Sequence, residues 1–434
     1  MTYFVASLRD ALSFVFGICH AARAVAGAVI SRWTVWWQFA RSALACSVSA
    51  LHQAIRCPIP LIAYHATAST ERQPHNNSIQ ARQIETVAVK KATVQALWCI
   101  GSPLFLYLCI VNTKTLDFGK YCVLGLSPMD DITDQPFRQL CKGFGADLLI
   151  TEFIASEALN REAEKSYRKM CFTPEQHPIG IQIFGADENE LLQCLDIVES
   201  REPDFVDINW GCPVRKVAGK GAGSGILKDI PKMLRITEAL VRRSHLPVTV
   251  KTRLGYDADD KPIVELAERL QDIGIAALSI HGRTKTQMYQ GTADWTLIGE
   301  VKNNPRMHIP IFGNGDITTP QQALEARRRY GVDGILIGRG AIGNPWIFEQ
   351  TQRLLRGEEE REITVAERVE VCRRHLMAAV EFKGEHTAMF EMRKHYGGYF
   401  KGLPAFKQFR IPMVNTTTLD QILPILDRVA EYYA

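Results

Sequence analysis

From residue 121 onward the chain repeats one unit eight times, a short apolar run followed by a longer stretch with helical spacing. The strand-like runs are 121–127, 147–153, 179–184, 205–210, 247–253, 277–282, 309–314 and 333–338. The helical stretches that follow them are 134–143, 155–170, 187–200, 224–244, 260–273, 293–303, 319–330 and 345–356. Eight βα units over about 240 residues is the size and pattern of a (β/α)8 TIM barrel, an α/β fold. A doubly wound open sheet is the alternative.

The positions of the polar residues favour the barrel, because active sites in that fold lie at the C-terminal ends of the strands. Nearly every predicted strand ends in a reactive or ligand-binding side chain. In chain order these are Met129 and Asp130, Glu152, Gln182, Asn209 and Cys212, Lys251 and Arg253, His281 and Arg283, Asn314 and Asp316, and Gly338 and Arg339. One polar residue after a strand is common, but eight strand ends in register are hard to explain as solvated loops. The densest stretch is 205–228. A buried strand there ends at Asn209-Trp210-Gly211 and delivers Cys212 into a loop with Pro213, Arg215, Lys216 and four glycines. Glycine lets the backbone come close to a ligand. Taken alone, a Cys is more often a buried structural thiol; its place among the other strand ends makes Cys212 a candidate for chemistry.

The last two units read as a phosphate site. Gly313-Asn314-Gly315-Asp316 and Gly338-Arg339-Gly340 follow strands seven and eight, where backbone amides and a helix N-terminus cradle phosphate in this fold. With Lys251 and His281 on neighbouring strands, the set suits a phosphorylated flavin: a cation beside the isoalloxazine N1–O2 edge, with an imidazole and an amide at its other polar edges. The bland reading of Lys251 is a salt bridge inside the barrel, with Glu152 as partner.

The chain has 434 residues, 46% of them hydrophobic and 23% charged, enough for a large core and two or three domains. Its eleven cysteines include no C-x-x-C pair and no zinc-ligand cluster, so neither a disulfide framework nor a metal site is expected, and reduced thiols point to the cytoplasm. Residues 1–118 hold ten Lys+Arg against four Asp+Glu (+6), so with +4 overall the remainder carries −2. Any nucleic acid bound by the main body must therefore meet a local basic face. Residues 1–117 form an extension of distinct character. Its first 56 residues are Arg-rich with one acid, Asp10, and Val94 to Val111 is uncharged but interrupted by Gly101-Ser102-Pro103. It reads either as a targeting or membrane-surface segment or as a disordered piece upstream of the true translation start.

The segments SPMDDITDQPFR (127–138), ITEF (150–153), IQIFG (181–185), DINWGCPVRKV (207–217), VKTRLG (250–255), HGRT (281–284), GNGDI (313–317) and IGRGAIGNPWIF (337–348) closely resemble the bacterial tRNA-dihydrouridine synthases. The resemblance covers about residues 118 to 434, and the Asn-x-Gly-Cys-Pro plus His-Gly-Arg-Thr combination is highly specific. It implies an FMN enzyme that uses NADPH to reduce the C5–C6 double bond of particular uridines in tRNA. Hydride would pass from flavin N5 to C6 of the base, and the Cys212 thiol would give a proton to C5. By the same resemblance Pro128, Met129, Asp130, Gln182, Lys251, His281, Asn314, Gly315, Asp316, Gly338 and Arg339 match flavin positions, and Asn209 would hold the uracil edge. A Cys thiol with a pKa near 8.5 is mostly protonated at pH 7 yet able to give up its proton. One departure is the acidic pair Asp130-Asp131, where small residues are commoner in the family; no role for Asp131 follows from the sequence.

A base stacked in RNA cannot reach the bottom of a barrel mouth, so the target must be extruded and the RNA held around it. Residues 359–434 are expected to form the helical domain that does this, with helices at 364–382, 386–402 and 418–433. Arg393, Lys394 and Lys401 are interleaved there with Tyr396, Tyr399 and Phe400, which suits phosphate contacts and stacking. Lys216 and Arg253 are expected to face the substrate from the barrel, and a monomer without an obligate protein partner is expected. Two other readings stand: an FMN barrel acting on a free pyrimidine, and a non-catalytic tRNA-binding protein.

Overall fold

A computed structural model of the protein describes residues 122–434; the expectations for the N-terminal extension lie outside the described residues. The described strands are β1 (Val123–Leu126), β2 (Leu148–Ile150), β3 (Ile154–Ala155), β4 (Ile179–Phe184), β5 (Phe205–Trp210), β6 (Val248–Arg253), β7 (Ala277–His281), β8 (Ile311–Asn314) and β9 (Gly334–Ile337). Every pairing is parallel, and β1 pairs with both β2 and β9, so the sheet closes on itself. Both β2 and β3 pair with β4, through Leu149 opposite Ile179 and Ile154 opposite Ile183. They are two pieces of one wall, and the ring is an eight-membered TIM barrel.

Side chains alternate across each strand, which decides what fills the barrel. Along β5, Val206, Ile208 and Trp210 pack outward against the helices, while Phe205 joins Leu148, Ile150, Ala277, Phe312 and Leu336 in an apolar floor. Gly180 and Gly334 make room for that floor: a Cβ on either would lie 2.1 Å from the Phe205 ring or 2.2 Å from the Phe312 ring. Above the floor the interior becomes polar. Asp207 faces Thr249 in the β5–β6 register, Asn209 faces Lys251, Arg253 faces His281, and His281 faces Asn314.

Local chemistry sets the helix starts. Asp134 caps Gln135–Gly143 by accepting from Phe137 N–H, with Pro136 in the first turn, and Thr319 with Gln322 forms a capping box on Pro320–Tyr330. Three helix expectations need correction. The stretch 155–170 is two short helices, Ser156–Asn160 and Glu164–Lys169, separated at Glu162 with φ 56°. The helix expected from 224 begins at Ile230, where Asp229 caps Lys232 N–H, and Gly223–Lys228 is a 3-10 turn wrapped under the Cys212 loop. A further helix, Lys407–Asn415, which the sequence reading left out, contains Pro412.

The C-terminal helices Val365–Lys383, Glu385–Tyr399, Lys407–Asn415 and Leu419–Tyr432 enclose a second core that includes Trp346 of the barrel. Arg361 bridges Glu349 and Glu367, and Trp346 Nε1 donates to Glu367. Lys383 lies buried between Asp134 and Glu391, and Phe137 packs against the rings of His375 and His395. This domain thus docks on the β9–β1 side of the barrel. Among the described residues no helix is long and apolar enough to cross a membrane.

Candidate active site

A cavity of about 1070 Å³ opens at the C-terminal ends of the strands. It is lined by Pro128, Met129, Asp130, Asn209, Cys212, Lys216, Lys251, Arg253, His281, Asn314, Gly315, Asp316, Gly338 and Arg339. These residues come from loops or ends of six strands, so the fold brings together what the sequence spreads over more than 200 positions.

Cys212 is held from several directions. Asn209 Oδ1 accepts from Gly211 N–H at 3.0 Å and Cys212 N–H at 2.8 Å. Ser224 donates to the Cys212 carbonyl from both its N–H and its hydroxyl, and Arg253 Nε donates to the Gly211 carbonyl at 2.7 Å. Trp210 anchors the strand end from outside through Nε1 to Thr237. The thiol sits in an apolar cluster with Val217, Ala222, Phe153 and Phe184. That burial pushes its pKa above the ordinary thiol value, so it stays protonated at neutral pH.

Lys251 is buried, and its ammonium donates to Asn314 Oδ1 at 3.2 Å. Burial, with Arg253 nearby, lowers its pKa to about 8, which still leaves it mostly charged at neutral pH. The supposed bridge to Glu152 does not form: Glu152 pairs with Lys169 at 3.6 Å and accepts from Asp131 N–H. Asp207 lies fully buried beneath Lys251, taking hydrogen bonds from Gln182 and Thr249. His281 is also buried, which together with the surrounding cations keeps its pKa well below the ordinary range. Its Nδ1 is buried without a hydrogen-bond partner, a polar atom aimed at something the protein itself does not supply.

The two glycine loops face this pair. Gly315 has φ 131°, and a Cβ there would lie 2.6 Å from Ala293 Cβ, so only glycine fits. Asp316 binds Arg283 at 2.6 Å, Arg339 at 3.0 Å and Ala293 N–H, and so serves to brace the loop. A buried cation, an unpartnered imidazole nitrogen and two glycine loops form a donor set that fits a phosphorylated flavin.

Other expected site residues sit elsewhere or have partners already. Gln182 lies fully buried outside the cavity lining, joined to Asp207 and to Asn209 Nδ2. Asn209 lines the cavity, but its carboxamide oxygen shapes the Cys212 turn. The Arg253 guanidinium clamps the carbonyls of Gly211, Thr284 and Met288. Arg393 donates to Thr416 O and stacks on Phe390, while Lys394 donates to Asp131 O. Lys401 is exposed away from the cavity. Asp131 thereby acquires a place: with φ 54° it joins Glu152, Lys165 and Lys394 at one junction. Sequence reasoning passed over Asp207, Ser224 and Tyr289. The signal for Asp207 was its position two residues before Asn209, on the same face of the strand; Ser224 and Tyr289 carried none.

The dihydrouridine synthase family model matches residues 125–431. A protein of Rickettsia conorii described as probable tRNA-dihydrouridine synthase is 37% identical over 310 residues, 71% of this chain and 92% of its own length. The tRNA-dihydrouridine synthase B of Pseudomonas aeruginosa is 37% identical over 286 residues, covering 66% of this chain and 86% of its own. That of Xanthomonas campestris is 38% identical over 299 residues, covering 68% and 90%. A barrel with Cys212 and Lys251 at one cavity, matched by that model over most of its length, is an oxidoreductase that belongs to the dihydrouridine synthase family.

Proposed function

We propose that the protein is an FMN-dependent tRNA-dihydrouridine synthase that takes its reducing equivalents from NADPH. The observation that carries this reading is the pairing, in one cavity, of a buried protonated thiol with a buried cation and an unpartnered imidazole nitrogen. Lys251 and His281 would hold the ring system of the flavin, and the loops at Gly315 and Gly338 its phosphate. When bound and reduced, the flavin supplies a hydride to C6 of the uracil.

The chain's own part is the other hydrogen. The Cys212 thiol gives its proton to C5, so hydride plus proton saturate the double bond, and the thiolate regains a proton from solvent. A donor must be protonated before the step, and burial raising the thiol pKa keeps it so. Asn209, Ser224 and Arg253 hold the donor in place by gripping the backbone on either side of it. The apolar walls Phe153 and Phe184 keep water away from the thiol. Exposed Val214 and Tyr289 at the rim offer apolar surface to a base leaving its stack. The test is to purify the protein, measure bound flavin, and follow dihydrouridine formation in unmodified tRNA with NADPH. A folded protein with no flavin at any concentration tried would refute the reading.

A further inference from the structure

Beside the active-site cavity, and sharing Pro213 with it as a wall, lies a second basin of about 660 Å³. Arg215, Lys228, Lys232 and Lys285 line it, with Tyr256 between them. The described body of the chain is slightly acidic overall, so four cations in one concavity depart from its average. Two cations nearby are neutralised: Lys220 pairs with Glu157 and Arg235 with Glu188. Among the described residues, no carboxylate forms an ion pair with any of these four. Asp229 is the acid that lines the basin, and its carboxylate caps Lys232 N–H.

Two of the four charges are held in place without being cancelled. Lys228 lies 4.5 Å and Lys285 4.8 Å from the centre of the Tyr256 ring, and Lys285 Nζ donates to the Tyr256 hydroxyl at 3.2 Å. A ring quadrupole orients an ammonium while leaving its charge to act on an anion. The ridge toward the cavity carries exposed Val214, Met288 and Tyr289.

Topology adds the direction. The basin is built on the segments after β5, β6 and β7, whereas the C-terminal domain meets the barrel at Asp131, Asp134 and Gly343, after β1 and β9. In the ring order β6 stands opposite β1. The basin and the C-terminal domain therefore flank the cavity from opposite sides. We propose that the basin holds the phosphodiester backbone of the tRNA strand next to the uridine that enters the cavity. This rests on the tRNA reading above, and it moves the main phosphate contact from the C-terminal helices, where Arg393 and Lys394 have internal partners, to the rim beside Cys212.

The test uses the full chain with FMN, an unmodified fluorescent tRNA transcript, and the variants Arg215→Gln, Lys228→Gln/Lys232→Gln and the triple combination. The triple variant should bind tRNA at least tenfold more weakly. Its log Kd against log salt should be shallower by about 0.7 to 0.9 for each phosphate that the basin no longer neutralises. Arg269→Gln, on an outer helix and paired with Glu265, should leave both quantities where they are. Wild-type tRNA affinity and salt slope in the triple variant would overturn the assignment. A raised KM for NADPH with unchanged tRNA affinity would overturn it too, making the basin a dinucleotide phosphate pocket. Dihydrouridine formation by the wild-type chain is measured separately, so failure of the catalytic reading is distinguishable from failure of the basin.

Discussion

Replacing Asn209 with Ala tests whether this side chain serves the substrate or the catalytic loop. Its Oδ1 accepts from Gly211 N–H at 3.0 Å and Cys212 N–H at 2.8 Å, and its Nδ2 donates to Gln182. Alanine leaves two backbone donors without their acceptor in a site where Asn209 is only 6% exposed. A net hydrogen bond is worth about 0.5 to 1.5 kcal/mol, and a buried donor left unpaired costs about 1 to 3 kcal/mol. Two such donors at the lower part of that range give about 2 to 4 kcal/mol. If that energy is what keeps the thiol in position, the competent population falls by about 30- to 700-fold, at 1.4 kcal/mol per factor of ten. Single-turnover reduction of tRNA should slow by that order, while the KM for tRNA and the flavin content stay within a factor of about three. The opposite split, a raised KM with an unchanged rate, would refute the positioning role and make Asn209 a contact to the base.

Cys212→Ala should lower uridine reduction by about 10² to 10⁴-fold, the usual span for a general acid, and Cys212→Ser should be nearly as slow; tRNA reduced at the wild-type rate would make the thiol structural. Because the Lys251 pKa is about 8, a ligand that prefers the ammonium binds fully below that pH and loses affinity as pH rises through it. Flavin affinity measured by fluorescence should therefore fall between pH 7 and 9, and Lys251→Met should weaken binding and flatten the profile; a flat wild-type profile refutes this. Buried His281, His375 and His395 are neutral in the fold, with pKa values held below the ordinary range by desolvation. The unfolded chain takes up these protons below about pH 6.5, so each further unit of acid should cost up to about 1.4 kcal/mol per histidine. Denaturant unfolding at pH 7 and pH 5 reads this, and His395→Gln should reduce the slope.

The alternation of strands and helices, the barrel and most of the polar residues at the strand ends were legible in the sequence, although Asp207 was passed over. Strand alternation and helix capping are written in residues one to four positions apart, as at Asp207 and Asn209, or at Asp134 and Phe137. Recognition of the family rested on the same local motifs. What each site residue does was not legible, because partners are chosen across the barrel. Lys251 meets Asn314, 63 residues away, and leaves Glu152 to Lys169. Lys394 reaches Asp131 over 263 residues, so a residue expected to contact tRNA phosphate fastens domain to barrel. The cationic basin unites Arg215 with Lys285 through loops that follow three different strands. Neighbours in sequence decide the backbone's local conformation; strand register and loop closure, acting over tens to hundreds of residues, decide which charges meet and which remain available for a ligand.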